Sequence, residues 1–283
     1  MTEPASPPAF IVSTATAHEG QNAFVRDALR SQRQRLAGLL GSLDDDEWTA
    51  QSRCTEWTVH EVVRHLCDAT LRCTVLLRGG IPEGVDHFDP RTTPIAWLAR
   101  SAGERPHDTL VAFEDASTEL IDEVDRHFRD ATNAHLPFLY GPVPWSVAVL
   151  HMVWDAWIHE RDIVLPLGRR HGSPVVESRA AAGYGLMVSC WPLMVGGTQL
   201  DESVVLAGDG GGSFRLATHA ATVTTTLDGA DGWSHSEPLS GALDDVVDSL
   251  VGRGPELTEV LSGPAERVQP LGALRALMLL PVS

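Results

Sequence analysis

The chain has no lysine: all 21 of its basic residues are arginine. That absence removes Schiff-base catalysis and the lysine of a phosphate-binding loop from consideration. No CxxC pair occurs among Cys54, Cys67, Cys73 and Cys190. An even cysteine count in 283 residues does not by itself make a disulfide framework, so reduced thiols and a cytoplasmic location are expected. No stretch reaches ~18 uninterrupted apolar residues, and the first residues lack the basic start and apolar core of a signal peptide. Neither a membrane span nor an export signal is expected. Positive charge is scarce as well, because 38 acidic side chains leave a net charge of −17. That field repels phosphate backbones and anionic lipid, so nucleic-acid and membrane partners are not expected.

Two familiar catalytic patterns are also missing. GDGGG (208–212) follows a strand-like run but leads into a hairpin rather than a helix, so it is no dinucleotide fingerprint. No GxSxG elbow is present. The arginine bias, with abundant alanine, hints at a GC-rich bacterial genome.

What remains is an ordinary globular composition, 43% hydrophobic and 21% charged, long enough for two domains. A Pro/Ala/Ser-rich leader, residues 1–20, reads as flexible. Apolar residues at Phe24, Ala28, Leu29, Leu36, Leu39, Leu40 and Leu43 then recur at helical spacing. The best-defined local signal follows: Thr58 and Glu61 have capping-box spacing, with Trp57 and Val62 placed for a hydrophobic staple. A helix is predicted from Thr58 to about Leu77, stopped by Gly79 and Gly80. His65 lies two turns in, while His60 points about 140° away and reads as a surface residue.

A third helix is predicted near Asp108–Phe128 and a fourth near Ser146–Leu165. Between them, PFLYGPVPW (137–145) carries three prolines and reads as a loop. Four helices in one segment suggest a bundle over residues 21–172. After Gly172, glycine and threonine rise and short stretches alternate, predicting an α+β domain over 173–283.

The fourth helix contains HMVWDAWIHERDIV (151–164). Asp155 and His159, four residues apart, lie ~40° apart around a helix and present their side chains together. His151, one turn further back, is the weaker ligand, and His65 on the second helix is the natural third. Two nitrogens and a carboxylate with one position open suit a catalytic zinc or similar divalent ion. Each feature has a plainer reading: His65 as a hydrogen-bonded core histidine, and Asp155 with His159 as an i,i+4 surface pair. Asp162 either orients an imidazole or pairs with Arg161 or Arg64. Trp57, Trp154 and Trp157 read as core or pocket wall, and Cys54 and Cys67 as small buried residues.

The run R-C-x-x-W-T-x-x-x-V-V-x-H-L (Arg53–Leu66), with the acid-x3-His-x2-Asp helix about 90 residues on, resembles the mycothiol-dependent maleylpyruvate isomerase family. The resemblance implies a DinB-like four-helix bundle followed by a smaller, sterol-carrier-like α+β domain. It implies His65, Asp155 and His159 as zinc ligands, although the family's usual residue at Asp155 is glutamate, one methylene longer. It also implies mycothiol as co-substrate, an actinobacterial source, and catalytic or cofactor roles for Asp162, Arg253, Trp57 and Trp154. Arg253 or Arg161 could bind a carboxylate, or either could be a structural arginine. The expected partners are a small-molecule electrophile and a thiol, acting in a monomer or homodimer. Isomerase or S-transferase is the leading expectation; the alternatives are a thiol-independent metal-hydroxide hydrolase or lyase, and a non-catalytic binding module.

Overall fold

The computed structural model describes residues 10–13, 19–83, 89, 92–138, 141–219, 222–227 and 237–278. The chain divides into two compact units, Ala23–Ala181 and a second built from Met1–Asn22 with Ala182–Leu279. The leader expected to be flexible contains a strand, Phe10–Ser13 (β1), which pairs antiparallel with residues 224–227. Three consecutive apolar residues with high strand propensity explain why this short piece joins a sheet. Apart from the start of the first helix, the rest of the leader lies outside the described residues.

In the helical unit, α1 (Glu19–Leu40) and α2 (Asp45–Thr49) precede α3 (Val59–Leu77). The start of α3 is set as the sequence requires: Thr58 Oγ1 accepts from the Glu61 backbone, and Glu61 reaches back to the Thr58 N–H at 2.8 Å. Its end is a Schellman motif, in which Gly79 at φ 81° lets its own N–H reach Leu76 and that of Gly80 reach Val75. Thr58→Ala removes one of these caps and lowers stability by about 1–2 kcal/mol, read as a lower urea midpoint at unchanged slope.

After α4 (Thr93–Leu98), α5 (Pro106–Arg129) packs along α3. That packing corrects the surface reading of His60, which is half-buried and 2.8 Å from Thr109 Oγ1 on α5. The proline-rich segment is also corrected: it forms a ribbon of β2 (His135–Phe138) and β3 (Gly141–Pro144), with Pro137 opposite Pro142. A two-stranded ribbon has outer edges that need no ladder N–H, so proline is tolerated there. It delivers the chain into α6 (Trp145–Val164), nearly every residue of which is buried, including Glu160, Arg161 and Asp162. A helix covered on all sides can hold charged groups only where each has a partner. α7 (Val175–Ser189) follows.

In the second unit, α8 (Trp191–Val195) precedes β4 (Leu200–Ala207), β5 (Gly212–His219), β6 (Thr222–Leu227) and β7 (Leu239–Ala242). Among the described residues the sheet order is β1-β6-β5-β4-β7, with β7 parallel to β4 and the other pairs antiparallel. Val204, Leu206, Phe214 and Leu216 alternate onto its buried face. GDGGG closes the β4–β5 hairpin with Gly208 at φ 109° and Gly210 at φ 84°, conformations that only glycine adopts freely. α9 (Leu243–Leu250), α10 (Leu257–Val260), α11 (Ala265–Val268) and α12 (Ala273–Met278) complete this unit, and the protein is of the α+β class. Among the described residues no helix is long and apolar enough to cross a membrane.

Candidate metal centre

α3 and α6 lie against each other in the helical unit and bring His65, Asp155 and His159 together, with their ligand atoms all within 4.8 Å of one another. His65 Nε2 is 3.6 Å from Asp155 Oδ2, and His159 Nε2 is 3.6 Å from Asp155 Oδ1. The carboxylate thus stands between two imidazoles whose ring centroids are 4.9 Å apart. An ion held tetrahedrally by bonds of ~2.1 Å separates its ligand atoms by ~3.4 Å, so these residues fit a divalent cation of zinc's size. Burial works against the Asp155 charge, but the charges of His159 and His65 overcome it and hold the carboxyl below the usual carboxylate range.

His159 is oriented by its other nitrogen. Nδ1 lies 3.0 Å from Oδ2 of the fully buried Asp162. This contact is the one that an imidazole-orienting Asp162 makes. A carboxylate accepting from Nδ1 fixes the ring and leaves Nε2 to face Asp155. Against burial, which opposes charge, Asp155, Asp162 and Cys54 favour the protonated form of His159. Arg64 is engaged with Ser101 and Leu98, and Arg161 lies over the Trp157 ring at 5.0 Å.

The same Asp162 oxygen accepts from Cys54 Sγ at 3.1 Å, and the Arg53 guanidinium lies 3.7 Å from the other oxygen. Sequence reasoning assigned Cys54 no part in the site, and Arg53 entered only as part of the family motif. The loop carrying them is tied to α6 by the Arg53 N–H to the Asp162 carbonyl, 3.0 Å, and tied to itself through Ser52 Oγ and the Gln51 amide. Cys54, His159 and Asp162 form a second group with ligand geometry. The Arg53 charge beside Asp162 weighs against a second cation there, and the short sulfur–oxygen contact is that of a hydrogen bond.

The remaining sequence candidates separate. Trp57 lies tilted against both histidines, at centroid distances of 5.2 Å to His65 and 6.2 Å to His159. Trp154 is buried with its ring 5.4 Å from that of His151, which also meets Phe138 edge-on at 5.2 Å. His151 stands outside the ligand group. Burial pushes its pKa down to about 4, helped by His65 and opposed by Asp155. Trp157 is fully buried and belongs to the core, edge-on to His171. Arg253 lies in the other unit, where its backbone N–H closes α9 on the Asp248 carbonyl.

No disulfide joins the four cysteines. Burial pushes the thiols of Cys67, Cys73 and Cys190 up to about 12. At pH 8 these three stay protonated in the native protein and react with a thiol reagent only as fast as the chain opens. Titration with such a reagent, with and without urea, checks this; their rapid modification in the folded protein would contradict it.

The sequence profile of the mycothiol maleylpyruvate isomerase N-terminal domain matches residues 29–164. None of the curated proteins matches the chain. Two solved structures resemble it, the mycothiol-dependent maleylpyruvate isomerase and a mutant of that enzyme. Each aligns at TM-score 0.54 and 18% identity, over 85% of this chain and 92% of the other. At that identity the likeness establishes a shared fold.

Proposed function

We propose that the chain belongs to the mycothiol maleylpyruvate isomerase family, whose N-terminal domain profile matches residues 29–164, and that it is a metal-dependent, thiol-using isomerase. The observation that carries this reading is the convergence of His65, Asp155 and His159 at ligand spacing inside that domain. We assign the ion as zinc, on the donor set of two imidazoles and one carboxylate, and the thiol as mycothiol, after the activity of the structural neighbours. Bound there, a divalent ion supplies stabilisation of thiolate over thiol at neutral pH.

The chain's own residues prepare that chemistry. Asp162 anchors His159 by Nδ1, Asp155 balances the positive charge, and Trp57 lies against both histidine rings. The thiolate adds to an activated double bond, the former double bond rotates, and the thiolate leaves with the new geometry, so thiol is regenerated. An electrophile that retained the sulfur would make the same site an S-transferase.

The test is turnover of a cis-configured, carboxylated enone by the zinc-loaded protein, with and without mycothiol. Conversion is expected only with thiol and without its net consumption. Equal rates in its absence would overturn the thiol assignment and favour a hydrolase or lyase using activated water.

A further inference from the structure

The apolar stripe of α1 is interrupted by one ionised residue. Leu29 and Leu36 are fully buried, and between them, at spacings of four and three, Arg33 is buried to 2% exposure. Its surroundings come from the other bundle helices. The guanidinium lies over the Phe113 ring of α5 at 5.5 Å, and Nη2 reaches the Met152 carbonyl of α6 at 3.5 Å. Nε and Nη1 are buried with no hydrogen-bond partner among the described residues. A guanidinium carries five N–H donors in a rigid fork, and leaving three of them unmet in a core is destabilising.

The position of this fork relative to the metal centre is informative. Met152 is three residues before Asp155 on α6, and Cys67, two residues after His65 on α3, is near enough to Arg33 for their titrations to be coupled. No ion pair joins Arg33 to Asp155 among the described residues, yet the Asp155 charge is the strongest influence keeping the Arg33 proton in place. Burial lowers the guanidinium to about 10, so it stays charged at neutral pH. Within one turn of the ligand-bearing stretches of two helices there is thus a fixed positive fork with unfilled donors.

We propose that Arg33 is the specificity-determining residue that receives a carboxylate of the small-molecule substrate on its Nε–Nη2 edge, with Nη2 giving up its long 3.5 Å contact to the Met152 carbonyl. This rests on the reading of the site as one that acts on an electrophile. It takes the role for which the sequence offered Arg253 or Arg161. A planar guanidinium matches a carboxylate in bidentate geometry, and burial strengthens the contact. The arrangement explains why an unfilled cation stands where leucine or methionine would pack better.

The experiment uses the full chain, stripped of metal, melted in potassium acetate and in potassium chloride at matched ionic strength. Acetate is expected to raise the wild-type midpoint. Arg33→Met is expected to melt higher than wild type in chloride, by about 2–8 °C, and to gain nothing from acetate. Arg33→Lys keeps the charge but loses the fork, and should show a reduced acetate shift. In turnover, Arg33→Met should raise KM for a carboxylated electrophile about 10–100-fold and leave that of its methyl ester unchanged. Zinc affinity should not weaken, since the lost charge repels the ion. A lower melting point for Arg33→Met in chloride, or an equal acetate shift in wild type and Arg33→Met, overturns the proposal and makes Arg33 a structural cation. A wild type that binds no zinc overturns the metal reading, and the acetate measurements still decide the role of Arg33.

Discussion

His65→Ala and His159→Ala each leave a folded chain that has lost at least about 100-fold in zinc affinity, with turnover falling in parallel. The magnitude follows from position: changes to residues that merely orient ligands typically cost 10–100-fold in affinity, and these two supply the ligand atoms themselves. His65 and His159 meet Asp155 from different helices at 3.6 Å each, so removing either leaves only two of the three donors. Asp162→Asn is the graded control, because it keeps the size of the side chain while weakening the acceptor that holds His159 Nδ1. It should lose zinc affinity by about 10–100-fold, less than either histidine variant. Metal content by mass spectrometry and competition with a chromophoric chelator read both effects. Zinc bound to His65→Ala as tightly as to the parent would remove His65 from the centre and, with it, the proposed chemistry.

Much of this centre was legible in the sequence because its signals are local. Thr58 and Glu61 set the start of α3, which fixes the phase of His65, and the four-residue step from Asp155 to His159 fixes a shared face of α6. The pairing of these two helices is a long-range fact, and only the family motif suggested it. Cys54 and Arg53 could not be placed, since they lie in an irregular loop whose approach to Asp162 depends on tertiary hydrogen bonds. The ribbon at 135–144 was missed because proline argues against most strands, and a two-stranded ribbon is the exception. Arg33 had a signal that went unread. The α1 stripe of Leu29, Leu36 and Leu40 predicts burial at 32 and 33, and a charged residue at a stripe position calls for a chemical reason.

Arg35→Met should be the most destabilising single substitution argued for this chain, because Arg35 stands between two buried carboxylates. Its guanidinium grips Glu160 through both nitrogens, one contact at 2.7 Å, and also reaches Glu177 Oε2 at 2.6 Å. Glu160 is 1% exposed and Glu177 is fully buried. Ser31 adds one hydrogen bond to Glu177 at 2.7 Å, and His171 stands 3.8 Å from Glu160. That histidine is a poor replacement for Arg35, since burial first, and then the charge of Arg161, still disfavour its protonation when Arg35 is gone. Burial already raises the Glu160 carboxyl even with Arg35 present. Without the arginine two carboxylates remain desolvated side by side, which costs about 3–5 kcal/mol and lowers the midpoint by roughly 6–20 °C. The sign of the pH dependence follows from the direction of the shift. A carboxyl whose folded pKa is raised, as that of Glu160 is, favours folding when protonated, so the deficit is greatest at neutral pH and shrinks as pH falls toward the ordinary 4.5. Adding Glu160→Gln and Glu177→Gln to Arg35→Met removes the uncompensated charge and should recover most of the loss. If the triple variant melts no higher than Arg35→Met, the loss comes from packing of the Arg35 stem rather than from the stranded carboxylates. Because Glu160 adjoins His159 on α6, the same comparison, read as zinc affinity, shows whether this charge network also fixes the ligand helix.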